Sequence, residues 1–293
     1  PTMRAGRQVA EVLRLHQGLR VLEPSDLPRV RELLAQDPLH NVFVDYRAAL
    51  TRLDQRWLGG QMWGWYVDGD LVSVCHSAAN LIPAMGTAQS LAAFAERAAT
   101  HARHSATLVG PRDQVELMWR DLQHVWAPPS DARWHQPHLA IDHDPLVEPD
   151  PMVRVSTSTD LQRLFPACVA MYTEEVGSPP DDGGGLSSYR MRVGQLIDRG
   201  WSLARYDADG NVEFKAEIAC ATTYACQVQG VWVRPDLRGR GLAAAGIAAV
   251  VAYARARIAP SVTLYVNDYN IPARRAYETA GFRQTGTFST LLF

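Results

Sequence analysis

The sequence predicts an α/β protein (strictly α+β) in which two copies of one fold follow each other, each a mixed, mostly antiparallel sheet flanked by helices. Three observations lead to this prediction. The same order of predicted elements occurs twice along the 293 residues. In each copy, apolar runs separated by turn residues indicate an antiparallel meander. In the second copy, a loop with two glycines and an alanine-rich helix follow the meander directly.

Residues 1–145 are predicted to form the first copy. A strand and two helices lead into a meander whose first two strands are joined by Asp68-Gly69-Asp70, a hairpin signal. The predicted strands are 20–23, 57–67, 71–78, 80–85, 106–109 and 134–141, and the predicted helices are 24–36, 42–53, 87–103 and 112–126.

Residues 152–293 are predicted to form the second copy, after an acidic, proline-rich linker at 142–151. Gly281 is expected to end its last helix, and Gly286 is expected to break its last strand. The predicted strands are 153–155, 201–207, 212–221, 226–234, 261–266 and 282–293, and the predicted helices are 159–174, 186–198, 242–257 and 270–280.

The composition excludes several function classes. Hydrophobic residues make up 47% of the chain, charged residues 20%, and the formal net charge is −2, so neither nucleic acid nor an anionic membrane is expected as a partner. No apolar stretch is long enough to span a membrane, and no signal segment is recognised, which favours a cytoplasmic protein. The four cysteines have no metal-binding spacing, so no metal is expected.

The segment Val231–Ala243 is the most informative part of the chain. It reads as a strand that stops at Pro235, a loop with glycines at 239 and 241, and the start of a helix. Glycines leave backbone N–H groups uncovered, and the start of a helix attracts anions, so a phosphate or pyrophosphate is the expected ligand. The third glycine of a dinucleotide fingerprint is missing, because Ala244 stands there.

Two motifs of this copy resemble those of the GNAT acetyltransferases. Arg238-x-x-Gly241-x-Ala243 matches their acyl-CoA signature, Gln/Arg-x-x-Gly-x-Gly/Ala. The stretch from Asn270 to Phe282 resembles their second motif, Asn-x-x-Ala-x-x-x-Tyr-x-x-x-Gly-Phe. The resemblance covers 152–293, while the first copy lacks both motifs and looks like a degenerate GNAT-like domain. The whole chain resembles actinobacterial tandem GNAT proteins that carry a domain of unknown function before an acetyltransferase domain.

The resemblance implies that acetyl-CoA is the cosubstrate. The loop would hold its pyrophosphate, the strand before the loop would pair with the pantetheine arm and polarise the thioester carbonyl, and the residue at 270 would help to position that arm. The expected cofactor-binding residues are Val231, Trp232, Val233, Arg238, Gly239, Arg240, Gly241, Leu242, Ala243 and Asn270.

The resemblance also implies direct transfer of the acyl group to an amine, with Tyr277 as the general acid for the departing thiolate. The general base stays open, because this chain has Gln227 and Gln229 on the strand where many relatives have a glutamate, and glutamine is not a base. The candidates are Glu174 and Glu175 at the end of a helix and Glu217 on a neighbouring strand. The alternative is that no side chain acts as the base and water carries the proton. Glu217 alternates with Lys215 and Glu213, a pattern that fits a solvated strand face equally well.

The expected acceptor is an amine of a small molecule or a protein. We expect Asp181 and Asp182, in a glycine-rich loop between two helices, to attract a cationic amine. Two other functions stay open, a non-catalytic acyl-CoA-binding regulatory module and a small-metabolite amide synthase of the tandem GNAT type. The oligomeric state is open between monomer and homodimer.

Overall fold

The computed structural model describes residues 17–100, 102–180 and 184–293. The chain divides into two compact units. The first unit comprises the residues up to Pro137 together with Gly286–Phe293, and the second comprises His138–Thr285. These units differ from the sequence-based ranges 1–145 and 152–293 chiefly in that the residues from Gly286 onward belong to the first unit.

The first unit contains an antiparallel meander, β1 to β4, with β5 parallel to β4. The turn between β2 and β3 has positive φ angles at Asp68 and Gly69, as a two-residue hairpin of Asp-Gly type requires. The strands are β1 (Gln17–Val21), β2 (Gln61–Val67), β3 (Asp70–Ser77), β4 (Asn80–Ala84) and β5 (Thr107–Pro111), and the helices are α1 (Leu27–Leu34), α2 (Val42–Thr51), α3 (Gln55–Leu58), α4 (Ala88–Ala99) and α5 (Arg112–Leu122).

Two further strands contribute residues to both units, β6 (Asp131–Ile141) and β12 (Arg283–Leu292). In the first unit the strand order is β1-β2-β3-β4-β5-β12-β6. Residues 288–292 of β12 pair antiparallel with β5, and Leu291 is fully buried in the core that α4 and α5 build over the sheet. The C-terminal strand therefore completes the sheet of the first unit.

The second unit repeats the plan. Its strands β7 to β10 form an antiparallel meander, β11 is parallel to β10, and β6 pairs antiparallel with β11 through residues 138–141. The strands are β7 (Arg154–Val155), β8 (Ser202–Tyr206), β9 (Val212–Ala221), β10 (Ala225–Val233) and β11 (Ser261–Tyr265), and the helices are α6 (Leu161–Val176), α7 (Gly185–Asp198), α8 (Leu242–Arg257) and α9 (Ile271–Ala280).

Alternate residues of β9 face two different layers. Phe214, Ala216 and Ile218 pack in the core formed with α8 and α9. A methyl group at Gly246 of α8 would lie 2.6 Å from the Phe214 ring, so glycine allows the helix to approach the sheet closely. The residues between them, Lys215 and Glu217, face α6 instead, where Lys215 contacts Met171.

The predicted fold class, a mixed α/β protein with a mostly antiparallel sheet flanked by helices, is confirmed. Two local predictions were wrong. Residues 57–60 are not strand, because Asp54 caps the short helix α3 by accepting a hydrogen bond from the N–H of Arg56 at 2.9 Å, and Gly59 ends that helix with a φ of +66°. Gly286 does not break the last strand, which is continuous from Arg283 to Leu292.

Candidate active site in the second unit

The sheet of the second unit opens between β10 and β11. The two strands are paired only at residues 225–227 and 261–263. β10 then bulges, with a register shift against β9 and a φ of +60° at Gly230. In the described part of the chain, no backbone partner from β11 reaches residues 228–233. This free edge can pair with an extended ligand in the manner of an added strand.

The glycine loop begins where this free edge ends. Gly239 and Gly241 have φ angles of +76° and +81°, and no atom lies within 4 Å of the position that a Cβ would take at either residue. Gly241 precedes α8, and among the described residues no acceptor reaches its N–H group or those of Leu242 and Ala243. The loop therefore presents open backbone donors at the positive end of a 16-residue helix, which suits a phosphate group.

Arg238 does not extend from the loop but folds back onto it. Its Nε donates to the Val233 carbonyl at 2.9 Å, and its Nη2 donates to both carboxylate oxygens of Glu174 at 3.0 and 2.8 Å. The indole N–H of Trp232 donates to the same carboxylate at 3.1 Å. Glu174 thus fastens the loop and the end of β10 to α6, and its oxygens already accept three hydrogen bonds.

Arg240 is exposed and has no hydrogen-bonded carboxylate among the described residues. From the sequence alone, both loop arginines were predicted to bind the cofactor. In the structure they differ: Arg238 binds Glu174 and the Val233 carbonyl, whereas Arg240 is exposed and available to a ligand.

A buried ion pair lies directly beneath the bulge. Lys215, the only lysine of the chain, has a fully buried side chain whose Nζ lies 3.0 Å from Glu217 Oε1 and donates to the carbonyl of Gly230 at 2.9 Å. The other oxygen of Glu217 accepts a hydrogen bond from Gln229 Nε2 at 3.3 Å. The alternative that this strand face is solvated was therefore wrong, because α6 covers it.

Burial by itself lowers the pKa of Lys215, but the nearby groups Glu217, Cys168 and Glu175 outweigh it, so the pKa is raised above its usual value. Lys215 is therefore an ammonium ion at neutral pH, and it fixes the Gly230 carbonyl within the bulge. The sequence missed this role. The available signal was the only lysine of the chain, placed on a strand between two glutamates that are each two residues away.

Tyr277 lies on α9 and is almost fully buried, at 6% exposure, against Phe282. In the described residues no hydrogen bond to its hydroxyl is found. Burial, and then the negative charge of Glu175, raise the pKa of Tyr277 well above its usual value. Tyr277 therefore keeps its proton at neutral pH, as a general acid must.

Glu175 is exposed at the end of α6, and its charge is felt by several buried groups. Its charge raises the pKa values of Tyr277, Tyr189 and Lys215. For both tyrosines the larger cause is burial, which also raises the pKa. For Lys215 the larger causes are burial, which lowers the pKa, and Glu217, which raises it. Residues on three elements, α9, α7 and β9, thus lie within its electrostatic reach. Glu175 combines nearness to the bulge and to Tyr277 with access to water.

Asn270 is the N-cap of α9, where its side-chain oxygen accepts a hydrogen bond from the N–H of Ala273 at 3.3 Å. Its side chain is exposed, whereas Tyr277 is buried. Val231 lies within the bulge of β10, and Trp232 is the first residue after it that pairs with β9 again. Asp181 and Asp182 lie outside the described residues.

Neither a metal centre nor a membrane span is found in the described ranges. They contain no group of three or more His, Cys, Asp or Glu that could hold a metal ion. Within the same ranges, no helix has the length and apolar character needed to cross a bilayer.

Two family matches cover different parts of the chain. Residues 60–164 match a domain of unknown function, DUF4081. Residues 203–282 match the Acetyltransferase (GNAT) family, over the meander, the glycine loop and α8 to α9. No curated protein matches the chain.

Solved structures resemble the chain over nearly its whole length. An acetyltransferase from the GNAT family of Colwellia psychrerythraea is 13% identical, with a TM-score of 0.59, covering 94% of this chain and 99% of its own. A GCN5-related N-acetyltransferase from Sphaerobacter thermophilus is 19% identical, with a TM-score of 0.59 and coverages of 94% and 95%. A tandem GNAT protein from the clavulanic acid biosynthesis pathway is 13% identical, with a TM-score of 0.54 and coverages of 94% and 98%. At these identities the likeness concerns the fold.

Proposed function

Since the chain carries a GNAT acetyltransferase domain after a DUF4081 domain, we propose that it is an acetyl-CoA-dependent N-acetyltransferase. The acyl group would pass directly to an amine of a small molecule or a protein. One observation carries the proposal. The free edge of β10 is followed, after one turn at Pro235–Leu237, by a glycine loop whose N–H groups are open, and Tyr277, a buried residue, lies within electrostatic reach of the exposed carboxylate of Glu175.

The residues present fit the cosubstrate. The open N–H groups of Gly241, Leu242 and Ala243 would hold its pyrophosphate, with charge support from Arg240. The backbone of Val231–Val233 would pair with its pantetheine arm. When bound, acetyl-CoA supplies an activated thioester. Arg238 positions the loop through Glu174, and Lys215 positions the bulge through Gly230.

The geometry favours Glu175 among the three candidate bases. Glu174 is engaged by Arg238 and Trp232, and Glu217 is sealed beneath the sheet with Lys215. Glu175 is exposed, so it can take a proton from an ammonium acceptor and pass it to water. Its negative charge also draws a cationic amine toward the bulge.

Tyr277 would deliver the second proton. A raised pKa keeps its hydroxyl protonated through the working pH range, and the apolar surroundings of the ring exclude water that would compete as the proton donor. The absence of a hydrogen-bond acceptor for this hydroxyl among the described residues leaves its proton available to a ligand. General acid catalysis of this kind typically contributes about 10²–10⁴-fold in rate.

The test is the release of free CoA from acetyl-CoA across a panel of amines and a protein pool. All four cysteines are buried, so a thiol reagent detects the CoA product with little background. We expect Tyr277→Phe to lower kcat by about 10²-fold with little change in CoA affinity, and Glu175→Gln to lower it at least tenfold. Tyr253→Phe and Glu278→Gln, on α8 and α9, serve as matched controls.

Two outcomes contradict the proposal. CoA binding without acceptor-dependent release from any amine or protein favours a binding module. Full activity of Tyr277→Phe refutes the role of the hydroxyl, because the ring and its packing are preserved in that variant.

A further inference from the structure

The first unit contains a cavity of about 310 Å³ that has no part in the proposed reaction. It lies at the end of α4, next to the first residues of β2 and β4. Within this unit, the segment that corresponds in order to the glycine loop follows the other end of β4, at residues 85–87. The cavity is therefore at the opposite end of that strand from the place where a GNAT fold holds CoA.

The lining of this cavity is cationic and aromatic. It includes Arg97, Arg103 and His104 together with Trp63 and Trp126, and its described lining residues include no Asp or Glu. The chain as a whole carries a net charge of −2, so this concentration of positive charge is a local feature.

The two arginines are held by neutral groups alone. Arg97 lies 5.2 Å from the centre of the Trp63 ring, and its Nη2 donates to Gln61 Oε1 at 3.2 Å. Arg103 lies 4.8 Å from the centre of the Phe293 ring, and its Nη1 donates to the carbonyl of Ser105 at 2.6 Å. Among the described residues neither has a carboxylate partner, so no acidic side chain offsets their positive charge.

Buried donors at this cavity have no acceptor from the protein. Arg97 Nε and the indole N–H of Trp126 are both inaccessible, and the described chain offers no hydrogen-bond partner to either. Trp126 is only 8% exposed. Native proteins rarely leave such groups unsatisfied. The Nη groups of the two arginines carry further N–H donors, which match the oxygens of a carboxylate or phosphate.

We propose that this cavity binds a small organic anion with a flat ring. The acidic group is held by Arg97 and Arg103, and the ring lies against the guanidinium planes and the indole of Trp63 or Trp126. The volume is at the lower end of small-molecule sites. It suits an aromatic acid or a mononucleotide and is too small for a whole CoA molecule. The first unit, which lacks a glycine loop, would thus bind a ligand different from the CoA of the second unit.

The test is calorimetric titration of the full chain with indole-3-acetate, AMP and inorganic phosphate. We expect saturable binding of one of the two aromatic anions, at least tenfold tighter than that of phosphate. The preferred anion identifies the acidic group as carboxylate or phosphate. The double variant Arg97→Gln/Arg103→Gln should weaken this binding at least tenfold, whereas Arg120→Gln, an exposed arginine on α5, should leave it unchanged.

A second variant keeps the charges and removes the space. Ala98→Leu adds apolar volume to the cavity wall, so it should weaken the same anion at least tenfold, and it decides the question if the double variant does not fold. Thermal melting checks the fold of each variant. The proposal is overturned if neither aromatic anion saturates the protein, if phosphate binds as tightly as both, or if folded pocket variants bind like the wild type.

Discussion

Replacing Lys215 by methionine is the most direct test of the buried ion pair beneath the bulge. Methionine has a similar length and no charge, so the substitution removes the ammonium ion while it leaves the space filled. Glu217, whose side chain is 4% exposed, then loses the partner at 3.0 Å that balances its charge, and the Gly230 carbonyl loses its donor.

The size of the effect follows from burial. An uncompensated buried charge typically costs about 3–5 kcal/mol, against about 5–15 kcal/mol for the whole stability of a domain. We therefore expect Lys215→Met to lower the free energy of unfolding of the second unit by about 3–5 kcal/mol. The double variant Lys215→Met/Glu217→Gln leaves no buried charge, and its side-chain oxygen still accepts from Gln229. It should recover at least half of the loss.

Urea unfolding followed by far-UV circular dichroism and tryptophan fluorescence measures these differences, with separate transitions fitted if the units unfold separately. The matched control is Arg283→Met, which breaks an exposed pair with Asp142. It should change the free energy of unfolding by less than about 1 kcal/mol. If Lys215→Met falls in that same range, or if the double variant is no more stable than the single one, the charge is not buried and the argument fails.

Four further results are expected. Gly241→Ala should weaken acetyl-CoA binding at least tenfold in calorimetry and cost about 1–2 kcal/mol in unfolding, because its φ of +81° strains any side chain although no atom crowds the site. Arg240→Gln should weaken acetyl-CoA binding at low salt only, whereas the loss from Arg238→Gln should persist at about 0.5 M salt, because that residue positions the loop rather than attracts the ligand. Burial lowers the pKa of His76 to about 4 from 6.5, so the unfolded chain takes up a proton first, and the stability that this residue contributes above pH 6.5 is lost as the pH falls toward 4. At pH 5 the loss is about 2 kcal/mol, and pH-dependent unfolding of His76→Gln should lack it. Removal of Gly286–Phe293 should unfold the first unit, seen as loss of amide protection in β5, because the removed residues supply the antiparallel neighbour of that strand.

The glycine loop and the order of the elements were predictable from the sequence because their signals are local. A hairpin at Asp68-Gly69 and a helix beginning after Gly241 each depend on a few adjacent residues, and both occur as predicted. The environment of Lys215 was not predictable. Alternating charged and apolar residues on β9 fit a solvated face and a covered face alike, and only the packing of α6 decides between them.

The choice among the three glutamates needed tertiary structure for the same reason. Glu174 and Glu175 are neighbours on one helix turn, and both are exposed. Glu174 accepts hydrogen bonds from Arg238 and Trp232, whereas the charge of Glu175 acts on Tyr277. The partners of Glu174 are 58 and 64 residues away in the sequence, so no local pattern distinguishes the two carboxylates. Their roles follow from the path of β10 past the end of α6.

The pairing of the last strand with the sheet of the first unit was not predicted from the sequence. In each half, the last helix is followed by a strand, β6 in the first half and β12 in the second. The alternating pattern of such a strand allows antiparallel pairing with the sheet of either unit, so the pattern does not say which sheet it joins. The glycine that suggested a break, Gly286, stands where the chain passes from the second unit to the first, and a methyl group there would lie 2.9 Å from the His40 ring. Glycine is thus needed for a close approach rather than for a turn. Phe288 and Leu291 are buried in the first unit, so the residues from Gly286 onward are needed to complete the sheet of that unit. They pair with β5, which lies far away in the sequence, and contacts of such large sequence separation slow folding. The stability of the first half of the chain therefore depends on residues at the end of the second half.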